Sequence, residues 1–317
     1  MKQHRQPEDC IVIGAGPAGL SAAFFLARYR YRVLVFHHNS PRNLYSHGVH
    51  GLIGRDGILP AELLARGRDE VRQYGGVIIE ACVTSAERIA DDHFRVKVGS
   101  GETGGALTEE TYEARRLLLA TGLRDVTPDC PGFLEFYGLS VFHCPDCDGY
   151  EVSDKRVAVL GRGRKTAGFT LNLLTWTDRL TLITDGEPDD LTGEHRARLA
   201  SFNIPIIHQS VVRLEGDSHT GRLERVQFAD GSALECDALF FNLGTQPASE
   251  LHSQLGCRLD DESGLVWIDE HQQTSVPGVY AAGDLTPRSQ LAVVAAAEGA
   301  MAAIQIHKSL LPETLRI

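Results

Sequence analysis

The sequence predicts an α/β fold of two Rossmann-like units in tandem, and three observations point to it. Residues 10–36, CIVIGAGPAGLSAAFFLARYRYRVLVF, read as strand, glycine turn, helix, strand. Residues 155–184, KRVAVLGRGRKTAGFTLNLLTWTDRLTLIT, repeat that order. Each unit is followed later by a strand ending in glycine, RRLLLATG closing at Gly122 and DALFFNLG at Gly244. Such apolar β-runs suit a parallel sheet, whose strands are buried on both faces.

In the first unit IVIG is a short β-branched run, and LSAAFFLARY has the composition and length of a helix. Gly14, Gly16 and Gly19 fall in the G-x-G-x-x-G spacing. The first makes the tight turn, the second lets backbone approach a pyrophosphate, and the third lets helix pack on strand. The helix N-terminus offers N–H groups and partial positive charge to the phosphates. RVLVF completes the unit, and FRVKV reads as antiparallel ribbon. In the second unit Gly161 and Gly163 make the turn, and LERVQFADGSALEC reads as a further ribbon. The last third brings GVYAAGDLT, a strand delivering Gly283–Asp284 to a helix start, and then the alanine-rich helix LAVVAAAEGAMAAIQIHKSL. An Asp so placed can hold a flavin ribityl hydroxyl, although Gly-Asp alone is also an ordinary turn.

The chain has 317 residues, enough for two domains. Its 43% hydrophobic and 23% charged content is that of a soluble globular protein. A formal charge of −11 argues against a nucleic-acid partner, which needs a basic surface. No apolar run approaches the roughly 20 residues that span a bilayer. The N-terminus MKQHRQPEDC is polar and leads into a strand, so it reads as neither signal nor transit peptide and a cytoplasmic protein is expected.

Residues 141–152, VFHCPDCDGYEV, set Cys144 and Cys147 two residues apart with Asp148 next. The spacing suits a redox disulfide, one arm of a tetrahedral zinc site, or two structural thiols. Zinc would want a second pair or a His-x-His arm, for which His143 and distant Cys130 are the nearest candidates. The seven cysteines, at 10, 82, 130, 144, 147, 236 and 257, form an odd, scattered set and not a secreted disulfide framework.

The order GAGPAG, ATG, CPDCDGY, a second glycine loop and GVYAAGD resembles the low-molecular-weight thioredoxin reductases over essentially the whole chain. The resemblance implies a flavoprotein, usually a homodimer, of two three-layer ββα FAD/NAD(P)-binding domains, the second inserted in the first. The FAD domain would comprise residues 1–124 and 248–317 and the inserted domain 125–247, with hinges near 123–126 and 246–249. By the same match FAD is held by Gly14, Gly16, Pro17, Ala18, Gly19, His37, Ala120, Thr121, Gly122, Gly283 and Asp284. Cys144 and Cys147 become the redox disulfide and no metal is expected. Cys147 would face the flavin, Cys144 would attack the substrate disulfide, and Asp148 would carry protons, because thiol–disulfide exchange needs one delivered to the leaving thiolate. The other five cysteines read as small buried hydrophobes.

Three departures qualify the match. His37 ends the second strand, where an acid usually holds the adenosine ribose; imidazole can still bond a hydroxyl, or backbone can hold the ribose instead. The inserted loop GRGRKTAG has Thr166 at the third small-residue position, which crowds a pyrophosphate, while Arg162, Arg164 and Lys165 could bind an anion or be solvated surface. The basic cluster that pairs with the 2′-phosphate of NADPH is replaced by TDGEPDD, whose Asp185, Glu187, Asp189 and Asp190 would repel it. Asp185, with Gly161 and Gly163, is then the candidate for an NAD ribose, so NADH or no pyridine nucleotide fits better than NADPH. Partners expected are a thioredoxin-like protein or a small disulfide or dithiol, with a ferredoxin-like electron donor as one route. The alternatives are a dithiol oxidase reoxidised by O₂ and, in another class, a flavin-binding sensor or scaffold.

Overall fold

Two sheets, one mixed and one parallel, each wound from one of the duplicated units, organise the computed structural model, which describes residues 6–99 and 110–315. The chain begins with β1 (Glu8–Ile13), α1 (Pro17–Arg28), β2 (Val33–His37), α2 (Pro60–Gln73), β3 (Val77–Glu80), β4 (Cys82–Ala90), β5 (His93–Gly99) and β6 (Glu110–Leu119). It crosses into the second unit through β7 (Leu123–Asp125), α3 (Phe133–Phe136), β8 (Val141–Phe142) and α4 (Pro145–Asp148). That unit contains β9 (Val157–Gly161), α5 (Gly163–Asn172), β10 (Leu180–Ile183), α6 (Gly193–Ser201) and β11 (Ile206–Ile207). It continues through β12 (Val211–Asp217), β13 (Arg222–Phe228), β14 (Ala233–Glu235) and β15 (Ala238–Asn242). The return is β16 (Thr245–Pro247), α7 (Leu251–Gln254), β17 (Val279–Ala281) and α8 (Ala292–Leu310).

The first sheet has the order β3-β2-β1-β6-β5-β4, with β17 also on β6. β6 serves different partners along its length: its N-terminal half pairs antiparallel with β5, and Leu117–Leu119 pair parallel with β17. Side chains alternate between faces, as the period of a strand requires. Cys10 and Val12 join Ala22, Ala23 and Leu26 of α1 and Ala302, Ala303 and Ile306 of α8. Ile11 and Ile13 face the other way, onto Phe94, Val96 and Leu285. α1 starts on Pro17, whose fixed φ suits the first helical position, and is closed by Arg30 in left-handed backbone at φ 69°.

The second sheet, β11-β10-β9-β15-β8, is parallel throughout. Val157 and Val159 share one core with Ala167 of α5. Ala158 and Leu160 share another with Leu214, Val226 and Phe228 of the antiparallel β12–β13–β14 ribbon. Because this sheet uses residues 141–242 and the first uses residues on both sides of it, the second unit is inserted in the first. β7 and β16 pair antiparallel, Leu123 opposite Pro247 and Asp125 opposite Thr245, so the chain leaves and re-enters at one place.

The five remaining cysteines do not all behave as buried hydrophobes. Cys10, Cys236 and Cys257 are buried, but Cys82 is exposed and Cys130 half-buried. Cys82 opens β4, at the end of the sheet order, and alternation sends Val83 inward and Cys82 out.

Candidate active site

The first glycine turn is an open cradle. Gly14 has φ +112°, and a Cβ there would lie 2.0 Å from the Ala120 carbonyl oxygen, so only glycine allows the turn to touch the end of β6. A Cβ on Gly19 would lie 1.9 Å from the Gly14 carbonyl oxygen, which fixes helix against strand. Around Gly16, its chain neighbours aside, no atom of the described residues lies within 4 Å of the Cβ position. Pro17 and Ala18 start α1 beside it, and Gly283, at φ +79°, packs on Ala18. At the adjoining end of β6 the Thr121 hydroxyl is buried without a hydrogen-bond partner, and Gly122 (φ +67°) faces open space.

Asp284 lies 3.2 Å from Arg42 through its carboxylate. Burial raises its pKa, against the opposing field of Arg42. Behind it Glu298 of α8 accepts hydrogen bonds at 2.8 Å from the Gly283 N–H and the Thr286 hydroxyl, which fixes the turn. His37 ends β2 half-buried, its Nδ1 accepting the Asn39 N–H at 3.2 Å. Burial and then Arg68 lower its pKa, keeping the imidazole neutral.

Cys144 and Cys147 are joined as a disulfide, and Cys144 caps the N-terminus of α4. Neither sulfur is therefore a thiolate for a metal. Asp148, 8% exposed, ends the same short helix. Burial pushes its carboxyl up to about 7, with Glu151 adding to the shift and His50 opposing it. A cavity of about 190 Å³ opens beside Cys147, lined by Asp146, Glu151 and Trp176 of the inserted unit and by His50 and Asp56 of the first.

Nothing in the sequence announced the charged cluster next to this pair. Arg42 forks onto Asp125, its Nε at 3.0 Å, and reaches Asp284 and the Gln290 side chain, the latter at 2.6 Å. The Tyr137 hydroxyl donates to the same Asp125 carboxylate at 2.5 Å, and the His143 ring lies parallel to Tyr137. Burial would raise the pKa of Asp125, but Arg42, His143 and Tyr137 outweigh it and hold the carboxyl below its usual range. Burial, together with Arg42, pushes the His143 pKa down to about 4. The cluster gathers six residues from four separate segments, so no spacing could reveal it.

The second glycine turn is built differently. The Gly163 N–H donates to the Asp189 carbonyl at 2.7 Å. The Thr166 hydroxyl, at the crowded third position, donates back to the Arg162 carbonyl at 2.8 Å. Arg162 pairs with Glu187 at 3.0 Å. Asp185, the ribose candidate, accepts the Val211 N–H at 2.6 Å through its carboxylate. Asp189, one of the four acids expected to repel a 2′-phosphate, is 2% exposed and carries a forked ion pair with Arg196.

The family model for pyridine nucleotide-disulphide oxidoreductases matches residues 8–299. The chain belongs to that family. Among curated relatives, the thioredoxin reductase tcpT of Claviceps purpurea is 31% identical over 284 residues, covering 87% of this chain and 86% of its own. A thioredoxin reductase of Treponema pallidum is 29% identical, covering 93% and 94%. Among solved structures, a putative thioredoxin reductase TrxB from Bacillus anthracis superposes with a TM-score of 0.86 at 33% identity, covering 96% of this chain and 98% of its own. The crystal structure of HlmI gives 0.87 at 37% identity, covering 97% and 93%.

This pyridine nucleotide-disulphide oxidoreductase is therefore an enzyme similar to the thioredoxin reductases, and the family implies FAD. The first unit fits that group: an open Gly16, an unpartnered buried Thr121 hydroxyl and a half-buried Asp284 are what a dinucleotide with a polyol chain requires. No helix among the described residues is long and apolar enough to cross a membrane.

Proposed function

We propose that this enzyme exchanges electrons between FAD and the Cys144–Cys147 disulfide, and between that disulfide and a thioredoxin-like protein or a small disulfide. One observation carries the reading: the disulfide sits on a short helix that ends in a buried acid poised near neutrality. When bound, FAD supplies the two-electron carrier. The chain's residues perform the exchange. With the pair reduced, the Cys144 thiolate attacks one sulfur of the substrate disulfide, forming a mixed disulfide as the substrate S–S bond breaks. The leaving thiolate takes the proton of the Asp148 carboxyl. The Cys147 thiolate then attacks Cys144, the second substrate thiolate leaves and is protonated, and the intramolecular disulfide is restored. Two electrons have moved from the pair to the substrate. Gly14, Gly16, Gly19, Thr121 and Asp284 are the residues proposed to hold FAD, and His37 the residue proposed nearest its ribose.

A second reading runs the exchange backwards: a substrate dithiol reduces the pair, and O₂ takes up the two electrons and two protons as peroxide. The engagement of the Gly163 N–H by Asp189 favours it, because it weakens the case for a pyridine-nucleotide reductant. NADPH is proposed as a poor reductant in either reading, since the acidic TDGEPDD segment offers its 2′-phosphate no basic partner. Anaerobic reduction of the holoenzyme, followed at the visible flavin band, with NADH, NADPH, reduced ferredoxin and dithiols in turn, decides the donor. A protein recovered without colour that cannot be reconstituted with FAD would remove the reading. The homodimer proposed by family likeness predicts twice the 34.6 kDa chain mass in light scattering.

A further inference from the structure

We infer that the second glycine turn is closed by the chain's own 185–191 segment, so that the inserted unit takes no pyridine nucleotide. A dinucleotide site at such a turn needs backbone N–H groups turned toward the pyrophosphate. Here the Gly163 N–H is already bonded to the Asp189 carbonyl at 2.7 Å. Among the described residues no carbonyl takes the N–H of Gly16, its counterpart in the first unit, although the Cβ positions of both glycines meet open space. The same fold thus has one turn whose glycine N–H is available and one whose N–H is already engaged.

The closure is anchored from three sides. The Asp189 carboxylate is buried, forks onto Arg196 of α6, and accepts the Leu191 N–H at 3.0 Å. Leu191 lies in the core with Val159 and Leu199. Glu187 pairs with Arg162, the first side chain of the turn, while its carbonyl accepts the Thr184 hydroxyl at 2.7 Å. A nucleotide would have to lift a segment whose release exposes a buried leucine and breaks the forked Asp189–Arg196 ion pair, at a cost in free energy. It would then meet Glu187 and Asp190, whose charge opposes its phosphates. Two of the side chains that could have served the nucleotide are committed elsewhere: Arg162 to Glu187, Asp185 to the Val211 N–H. On this view the inserted unit is a carrier for the disulfide, and the family's nucleotide site survives only as a fold. The inference concerns that unit alone and holds for either direction of electron flow.

The test is direct binding to the FAD-loaded protein, by titration calorimetry with NAD⁺, NADP⁺, NADH and NADPH. The wild type is expected to give no binding heat up to about 1 mM of any of them. Amide exchange over residues 160–167 should be slow and unchanged by the nucleotides. A dissociation constant below about 100 µM for any one of them overturns the inference. Arg196→Ala takes the cation from Asp189 and should speed exchange over 160–167 by about tenfold or more; unchanged exchange in a folded variant also overturns it. Should that variant fail to fold, the wild-type titration decides alone. The same sample is reduced anaerobically with dithiothreitol as a control. A protein that binds no nucleotide and also accepts no electrons from a dithiol refutes the proposed function and leaves the closed turn standing.

Discussion

Asp148 shows how one position can join fold to chemistry. Its carboxyl is pushed up to about 7 because it is buried, with Glu151 adding to the cost of ionisation. Below that pH it holds the proton that a leaving thiolate requires, and above it the proton is gone. Asp148→Asn should slow disulfide exchange by roughly a hundredfold and remove the limb of the pH–rate profile near 7. An unchanged profile would assign the proton to another group. The same shift has a consequence for stability. A folded-state pKa above the unfolded one means that the native state holds the proton longer, so wild-type stability falls as pH rises from about 4 and levels off above 7. The thermal midpoint of Asp148→Asn relative to wild type should therefore rise over that window and be flat outside it. Arg42 acts through charge rather than protons. It neutralises Asp125, whose side chain is buried, so Arg42→Met should cost about 3–5 kcal/mol in urea unfolding. Adding Asp125→Asn to the same chain should recover part of that. The sequence disclosed Asp148, because it adjoins a C-x-x-C. It could not disclose Arg42 or Asp125, which meet across 83 residues of chain, nor the burial of Asp189, since a lone charged residue reads as solvated.

At the scale of elements, two close approaches set the first unit, and the sequence displayed only one. The glycines of the turn were legible because their spacing is local. Gly299 was not, although a Cβ there would lie 2.0 Å from the Ala18 carbonyl and push α8 off α1. The two glycines should respond oppositely to alanine. Gly16 has φ −76°, which alanine adopts readily, and its Cβ meets nothing within 4 Å. Gly16→Ala should leave the apoprotein within about 0.5 kcal/mol of wild type yet weaken FAD retention, because the methyl group enters the cradle. Gly299→Ala should destabilise the apoprotein by about 1–3 kcal/mol through overpacking at a rigid carbonyl. Urea unfolding of the apoproteins and flavin release on dilution separate the two effects. Equal stability losses would mean that Gly16 serves packing and not the cofactor. The duplicated strand–turn–helix pattern was readable for a related reason: each repeat is a local sequence of apolar periods, and both became β-α-β units where expected. What the pattern could not carry was which backbone N–H groups remain available once a later loop folds back, and there the two turns part company.

On the scale of the whole molecule, the chain passes between its units only at the paired strands β7 and β16, and the disulfide lies a short distance beyond that crossing. The two sulfurs consequently meet different surroundings. Cys147 lines the cavity to which the first unit contributes His50 and Asp56, whereas Cys144 caps α4 and is preceded by His143, which packs toward Asp125 of β7. The unit with the open glycine turn therefore reaches Cys147 across the junction, and this division of environments argues for a division of labour. Cys144→Ser should leave a single thiol at 147 beside the flavin, and the FAD-loaded variant should show a long-wavelength thiolate–flavin absorption that rises with pH. Cys147→Ser should lack that absorption. Both should lose turnover by at least about a thousandfold, because exchange through an intramolecular disulfide needs both sulfurs. Because neither substitution removes a core side chain, unfolding midpoints should stay near that of the reduced wild type. If the absorption appears in Cys147→Ser and not in Cys144→Ser, the sulfurs have exchanged roles and the cavity belongs to the substrate side. If the doubly substituted protein turns over disulfides at the wild-type rate, the pair is structural and the chemistry lies elsewhere in the fold.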